Sequence, residues 1–114
     1  MQIRIEQMEE LSDSMLQQFE GKMETHLRSR FAGKLAGTSD ADLQSHIHEG
    51  VTRARRHGVQ AKNDIRRYLE YTVEYGPDFD ATCPWAASIL EAKEMDGYKK
   101  MNSLDDYSTF ELRG

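Results

Sequence analysis

A chain of 114 residues suits one compact domain, able to bury roughly two thirds of its unfolded surface without disulfide or metal staples. With 38% hydrophobic and 31% charged residues, one cysteine and a net charge of −5, it excludes a membrane span and an internal disulfide and argues against generic binding to nucleic-acid backbones. The opening MQIRIEQMEE has no apolar run of the kind a secretory signal carries, so the expected setting is the cytoplasm, with no membrane partner.

The first segment spaces Met8, Leu11, Met15, Phe19, Met23, Leu27 and Phe31 three or four residues apart, and Leu16 widens the stripe. This predicts a helix from about Ile5 to Phe31, roughly 40 Å long and weakened only at Gly21. Such a helix would outreach a body with a radius of gyration of about 13 Å, leaving one end of its Met-rich stripe for a partner. AGKLAGTSDAD then breaks the pattern. Ser39 is the expected N-cap of a second helix, with Asp42 as its capping-box partner and Leu43, Ile47, Val51 and Ala54 inward. That helix should end at RRHGV, with Gly58 in a left-handed conformation and Val59 folding back. A third helix carries Ile65, Leu69, Thr72 and Val73 among three tyrosines, with an unclear start near Gln60 and a stop at Gly76-Pro77. Surface pairs Arg66–Glu70 and Arg67–Glu70 are expected on it. Pro84 opens a fourth helix with Trp85, Ile89 and Leu90 on its apolar side, and a last one runs from about Gly97 to Tyr107 with Tyr98, Met101 and Leu104. No alternation reads as a strand. The expected fold is all-α, a compact bundle of four to five helices with a long N-terminal helix, in a single domain over 1–114 with 113–114 as a frayed tail.

Between the third and fourth helices lies EYGPDFDATCPW, which holds both prolines, the cysteine and the tryptophan. Asp78 and Asp80 flank Phe79 at a spacing that could open a cation site, but the turn glycine and closing glutamate of a calcium loop are missing. The plainer reading is that one aspartate caps backbone amides while Phe79 plugs the core. Cys83 precedes a helix but has no base near it in sequence, and a small half-buried residue is the simpler role. His46 and His48 point to opposite sides of a helix and cannot share an ion, and no metal-spaced histidine pair occurs. His57 reads as a cation at a helix end.

Charge is distributed unevenly. Six Lys/Arg face one acid between Arg53 and Arg67, whereas ten acids face three lysines between Tyr68 and Glu111. The surface is therefore expected to be dipolar, a device for steering protein encounters. Arg53, Arg55, Arg56, Arg66 and Arg67 form either a docking patch or a plain solvated face. No aromatic is interleaved with them to stack bases, which speaks against nucleic acid.

Several motifs together resemble a family of small bacterial accessory proteins encoded beside type VI secretion effectors. They are IEQME (Ile5–Glu9), HLR (His26–Arg28) ahead of Phe31, the I-x-x-G-V of Ile47–Val51, HGV (His57–Val59), YGPDFD (Tyr75–Asp80) and PWA (Pro84–Ala86). The similarity spans about Ile5 to Leu104 and is strongest at YGPDFD and PWA; Gln60 and the trailing STFELRG are the departures. It implies a co-chaperone that works with a larger adaptor chaperone to deliver a toxic effector, with no catalytic residues to carry over. It also implies that the corner sets the angle between helices three and four, with Phe79 and Trp85 as wedges or as a docking point.

The expected function is thus a non-enzymatic adaptor or co-chaperone that binds an effector or its chaperone, without metal or other cofactor. An immunity protein that neutralises a toxin is the alternative, and a small nucleic-acid-binding regulator is a weaker third. Pairing of two copies through the first helix stays open.

Overall fold

A computed structural model describes residues 13–112, and every element within that range is helical. In chain order these are α1 (Asp13–Arg30), α2 (Asp40–Arg56), α3 (Lys62–Tyr75), α4 (Phe79–Thr82), α5 (Pro84–Leu90) and α6 (Gly97–Tyr107), followed by a π-helical turn (Ser108–Leu112). The bundle expected from periodicity is present, with one helix more than anticipated. Residues 5–12 of the expected long first helix, and the tail at 113–114, lie outside the described residues.

The apolar stripe of α1 turns inward from Phe19 through Met23 to Leu27, all buried, while Met15 is 45% exposed. This part of the stripe is core rather than a free ridge. Arg28 then fixes the connection to α2. Its guanidinium donates to the carbonyls of Leu35 (2.8 Å) and Thr38 (2.7 Å) and to Asp40 (3.0 Å), so the glycine-rich link is held by one side chain.

The ends of α2 follow local chemistry. Ser39 Oγ accepts from the amide of Asp42 at 3.1 Å. At the other end Gly58 takes φ +82°, and the amides of Gly58 and Val59 reach back to the carbonyls of Arg55 and Ala54. This is the paired closure of a Schellman turn, and it leaves Val59 buried. No side chain caps α3, whose N-cap is Ala61. Its helicity rests on packing: it touches α1, α2, α4 and α6, and Ile65, Tyr68, Leu69, Tyr71 and Thr72 are buried.

The extra helix, α4, sits inside the YGPDFD corner. The amides of Ala81, Thr82 and Cys83 close a single turn on the carbonyls of Asp78 and Phe79. Pro84 stops it there. A residue before proline is pushed out of the helical region, and Cys83 is extended at φ −99°, ψ 108°. The same proline, needing no partner for its missing N–H, becomes the first residue of α5.

Asp96 caps α6 by accepting from the amide of Lys99 at 2.9 Å. Met101 and Leu104 are fully buried as expected, but Tyr98 is 61% exposed and Lys100 takes an inward position, 7% exposed. Gly97 lies against the turn that ends α2: a Cβ there would stand 2.4 Å from the Gly58 oxygen and 2.8 Å from Val59 Cα. The body measures 39 × 39 × 19 Å, so its breadth matches the expected length of the first helix rather than falling short of it.

Gly97→Ala should lower unfolding stability by about 1–3 kcal/mol, because backbone atoms must retreat from the added methyl. Gly21→Ala, where a Cβ would meet nothing within 4 Å, should raise it by up to about 1 kcal/mol. Denaturant unfolding of the two variants checks both signs.

Candidate functional site

The two stretches that stand out in the sequence, the arginine belt and the Glu74–Trp85 corner, meet at one carboxylate. The single turn of α4 directs both Phe79 and Asp80 inward. Asp80 Oδ1 accepts from Arg53 Nη2 at 2.6 Å, and Oδ2 accepts from His57 Nε2 at 2.9 Å. The Asp80 side chain is only 8% exposed, against 24% for Arg53 and 18% for His57. Tyr68 packs between them, its ring 5.0 Å from Phe79 and 6.3 Å from His57. The Tyr68 hydroxyl and Arg53 Nε are buried and find no hydrogen-bond partner of good geometry among the described residues.

Burial alone would raise the Asp80 pKa, but hydrogen bonds and charge from Arg53 and His57 outweigh it and hold the carboxyl below its ordinary value. Burial, with the Asp80 charge beside it, pushes the Tyr68 phenol well above its usual range. This cluster is a brace. The expectation that Asp78 or Asp80 caps amides is corrected: α4 has no side-chain cap, Asp80 is ion-paired, and Asp78 stays exposed on the other side of Phe79.

The belt itself is divided among several tasks. Arg53 serves Asp80. Arg66 pairs with Glu70 at 2.8 Å, as its spacing implied, and also holds Asn63. Arg67 does not join Glu70. It donates to Asp64 at 2.9 Å, to Asp105 at 2.6 Å and to Asn102 at 2.8 Å, tying α3 to α6, because the docked helix offers it a carboxylate and an amide oxygen that spacing along α3 does not reveal. Tyr71 donates to the other oxygen of Asp105 at 2.7 Å. Arg55 is half-buried and Arg56 exposed. Phe79 is fully buried and presents no surface to a partner. Trp85 is half-buried, stacked on Tyr107 at 5.1 Å and edge-on to Tyr75 at 5.4 Å.

All four histidines link elements. His26 bonds Glu70 across α1 and α3 at 2.6 Å, and His48 bonds Glu20 across α2 and α1 at 3.0 Å. His57 holds Asp80. His46 sits against Thr72 of α3 at 2.8 Å. The Thr72 hydroxyl gives its one proton to the Leu69 carbonyl at 2.6 Å, so it accepts from His46, whose Nε2 carries the hydrogen. Burial lowers the His46 pKa.

Open clefts flank these braces. One of about 430 Å³ is lined by Asp42, Ser45, His46, Glu49, Arg53, Pro77 and Asp78. Another, of about 240 Å³, lies among Arg30, Glu70, Tyr71, Glu74, Asp105, Ser108 and Thr109. In the second, Glu70 and Asp105 are already committed to His26, Arg66, Arg67 and Tyr71. Among the described residues no three His, Cys, Asp or Glu side chains gather as metal ligands, and no helix is long and apolar enough to cross a membrane. The sequence missed Asp80, Asp105 and Asp64 as brace points. The available signal for Asp80 was an aspartate set directly between Phe79 and Ala81.

Asp80→Asn should cost about 3 kcal/mol, because it strands Arg53 and His57 in a mostly buried site. A carboxyl held low in the fold stabilises fully above its unfolded value, and that share is lost as pH falls through the depressed one. Urea midpoints of the wild type should therefore drop in acid, and Asp80→Asn should remove that component. For His46 the unfolded chain takes up a proton first, near the ordinary imidazole value of 6.5. Stability should be complete above that pH and decline as pH falls toward the lowered value. His46→Gln, which keeps an N–H for Thr72, should flatten the decline in the same titration.

Comparison of the chain with protein-family models, with curated proteins and with solved structures finds no match.

Proposed function

We propose that this chain is a non-enzymatic helical adaptor or co-chaperone, which binds an effector or the larger chaperone that carries it during type VI secretion. One observation carries the adaptor part of the reading. The side chains best suited to chemistry (Asp80, His57, His26, Glu70 and Asp105) each bond across helices and hold the fold's geometry. What such a frame offers outward is fixed shape and charge, the properties a protein partner reads.

The secretion setting is supported by the motif resemblance alone. Its strongest elements, YGPDFD and PWA, form one packed unit here: Tyr75 and Trp85 meet edge to face, and Phe79 lies beneath Tyr71 at 5.6 Å. Affinity capture of the full-length chain from its native host should enrich an effector or an adaptor chaperone. Loss of the chain should lower secretion of that effector without changing sensitivity to it. Protection of cells expressing the toxin would make the chain an immunity protein instead, and enrichment of neither partner would remove the reading.

A further inference from the structure

The outer face of α2 stands between two grooves. Asp42, Ser45 and Glu49 follow one another at helical spacing on the side away from Leu43, Ile47 and Val51, and all three are exposed. On one flank lies the cleft of about 430 Å³ that they share with His46, Arg53, Pro77 and Asp78. On the other lies a cleft of about 490 Å³ toward α1, which Glu20 and His48 also line. Ser45 and Glu49 border both clefts and so form the ridge between them. A raised helix with a groove on either side is the relief into which the side chains of another helix interdigitate. The charge on this relief is one-sided. Arg53 is answered by Asp80, Glu20 bonds His48, and His46 spends its Nε2 hydrogen on Thr72, which leaves only the lone pair of Nδ1. The carboxylates of Asp42, Glu49 and Asp78 have no side-chain partner among the described residues. Asp42 lies in the first turn of α2, where the helix dipole accounts for it. Glu49 in mid-helix and the exposed Asp78 of the corner have no such role.

We propose that the exposed face of α2, together with Asp78, is a docking site for a basic amphipathic helix of a partner protein; this rests on the adaptor reading above. Apolar side chains of that helix enter the two grooves, and its lysines or arginines meet Asp42, Glu49 and Asp78. The unanswered carboxylates complement those cations, and they orient the approach. Nucleic acids and anionic membrane surfaces are repelled by the same charge. A metal ion fits no better, since no three ligating side chains gather among the described residues.

The test uses the full chain with a fluorescently labelled amphipathic peptide of lysines and leucines at helical spacing, read by anisotropy, beside a labelled peptide of the same composition in scrambled order. The ordered peptide should bind more tightly than the scrambled one and weaken with salt. Glu49→Lys should reduce its affinity roughly tenfold or more, and so should Ser45→Trp, which fills both grooves without changing charge. Asp106→Lys, the same charge change on an exposed side chain of α6, should leave it unchanged. All three side chains are exposed, so unchanged thermal melts separate lost docking from lost folding. Absent binding of the ordered peptide, equal binding of the scrambled one, indifference to the Glu49 and Ser45 changes, or an equal loss in Asp106→Lys would each overturn the proposal. Capture from the native host separates the two readings. If Glu49→Lys still enriches the partner that the wild type does, the adaptor role stands and this face is not its site.

Discussion

The arrangement of the molecule depends on where one carboxylate is placed. Asp80 is taken out of water, which costs several kcal/mol for an isolated ion, and the cost is offset only because each oxygen receives a charged or polar hydrogen. Those donors, Arg53 and His57, come from the last turn of α2. The corner between α3 and α5 is thereby held in one orientation relative to α2, with Phe79 sealed behind it. Apolar packing tolerates small slides, whereas a two-pronged ion contact does not, so this brace contributes orientation more than net stability. The turn that ends α2 also receives Gly97 and Lys100 of α6, so two separate segments take their positions from the turn at His57 and Gly58.

The second tier of braces has the same character. Arg67 spans from Asp64 to Asp105, and His26, His46 and His48 stitch α1, α2 and α3. A chain with 38% hydrophobic residues has a limited apolar core with which to fix helix angles. Directional contacts at the margins of that core supply the angular information that dispersion and burial lack. Half-exposed pairs of this kind add little free energy individually, but as a set they restrict how neighbouring helices can rotate.

What the sequence made legible and what it hid divide along a physical line. Ser39, Gly58, Gly76, Pro84 and the span Gly97–Tyr107 were readable because caps and breakers act on backbone within a few residues of themselves. Even there Asp96 was overlooked as a cap, although an aspartate before a helix is a common one. The pairings were hidden because spacing reports which face of a helix a side chain occupies, not what another helix brings to it. Arg67 could be matched with Glu70 by counting, but only the docked α6 shows that Asp105 is its partner. The one-turn α4 escaped notice because a loop and a single helical turn have the same composition. The candidate site was half legible: the belt was evident as charge, but its division into structural and outward-facing members was not.

At 19 Å the body is about two helix diameters deep. Among the described residues α3 is the helix that touches α1, α2, α4 and α6, so loosening any of these opens one side of it to water. Partial opening and complete unfolding then lie close together in free energy, and amide exchange in α3 reports on the survival of the whole assembly rather than on one protected region.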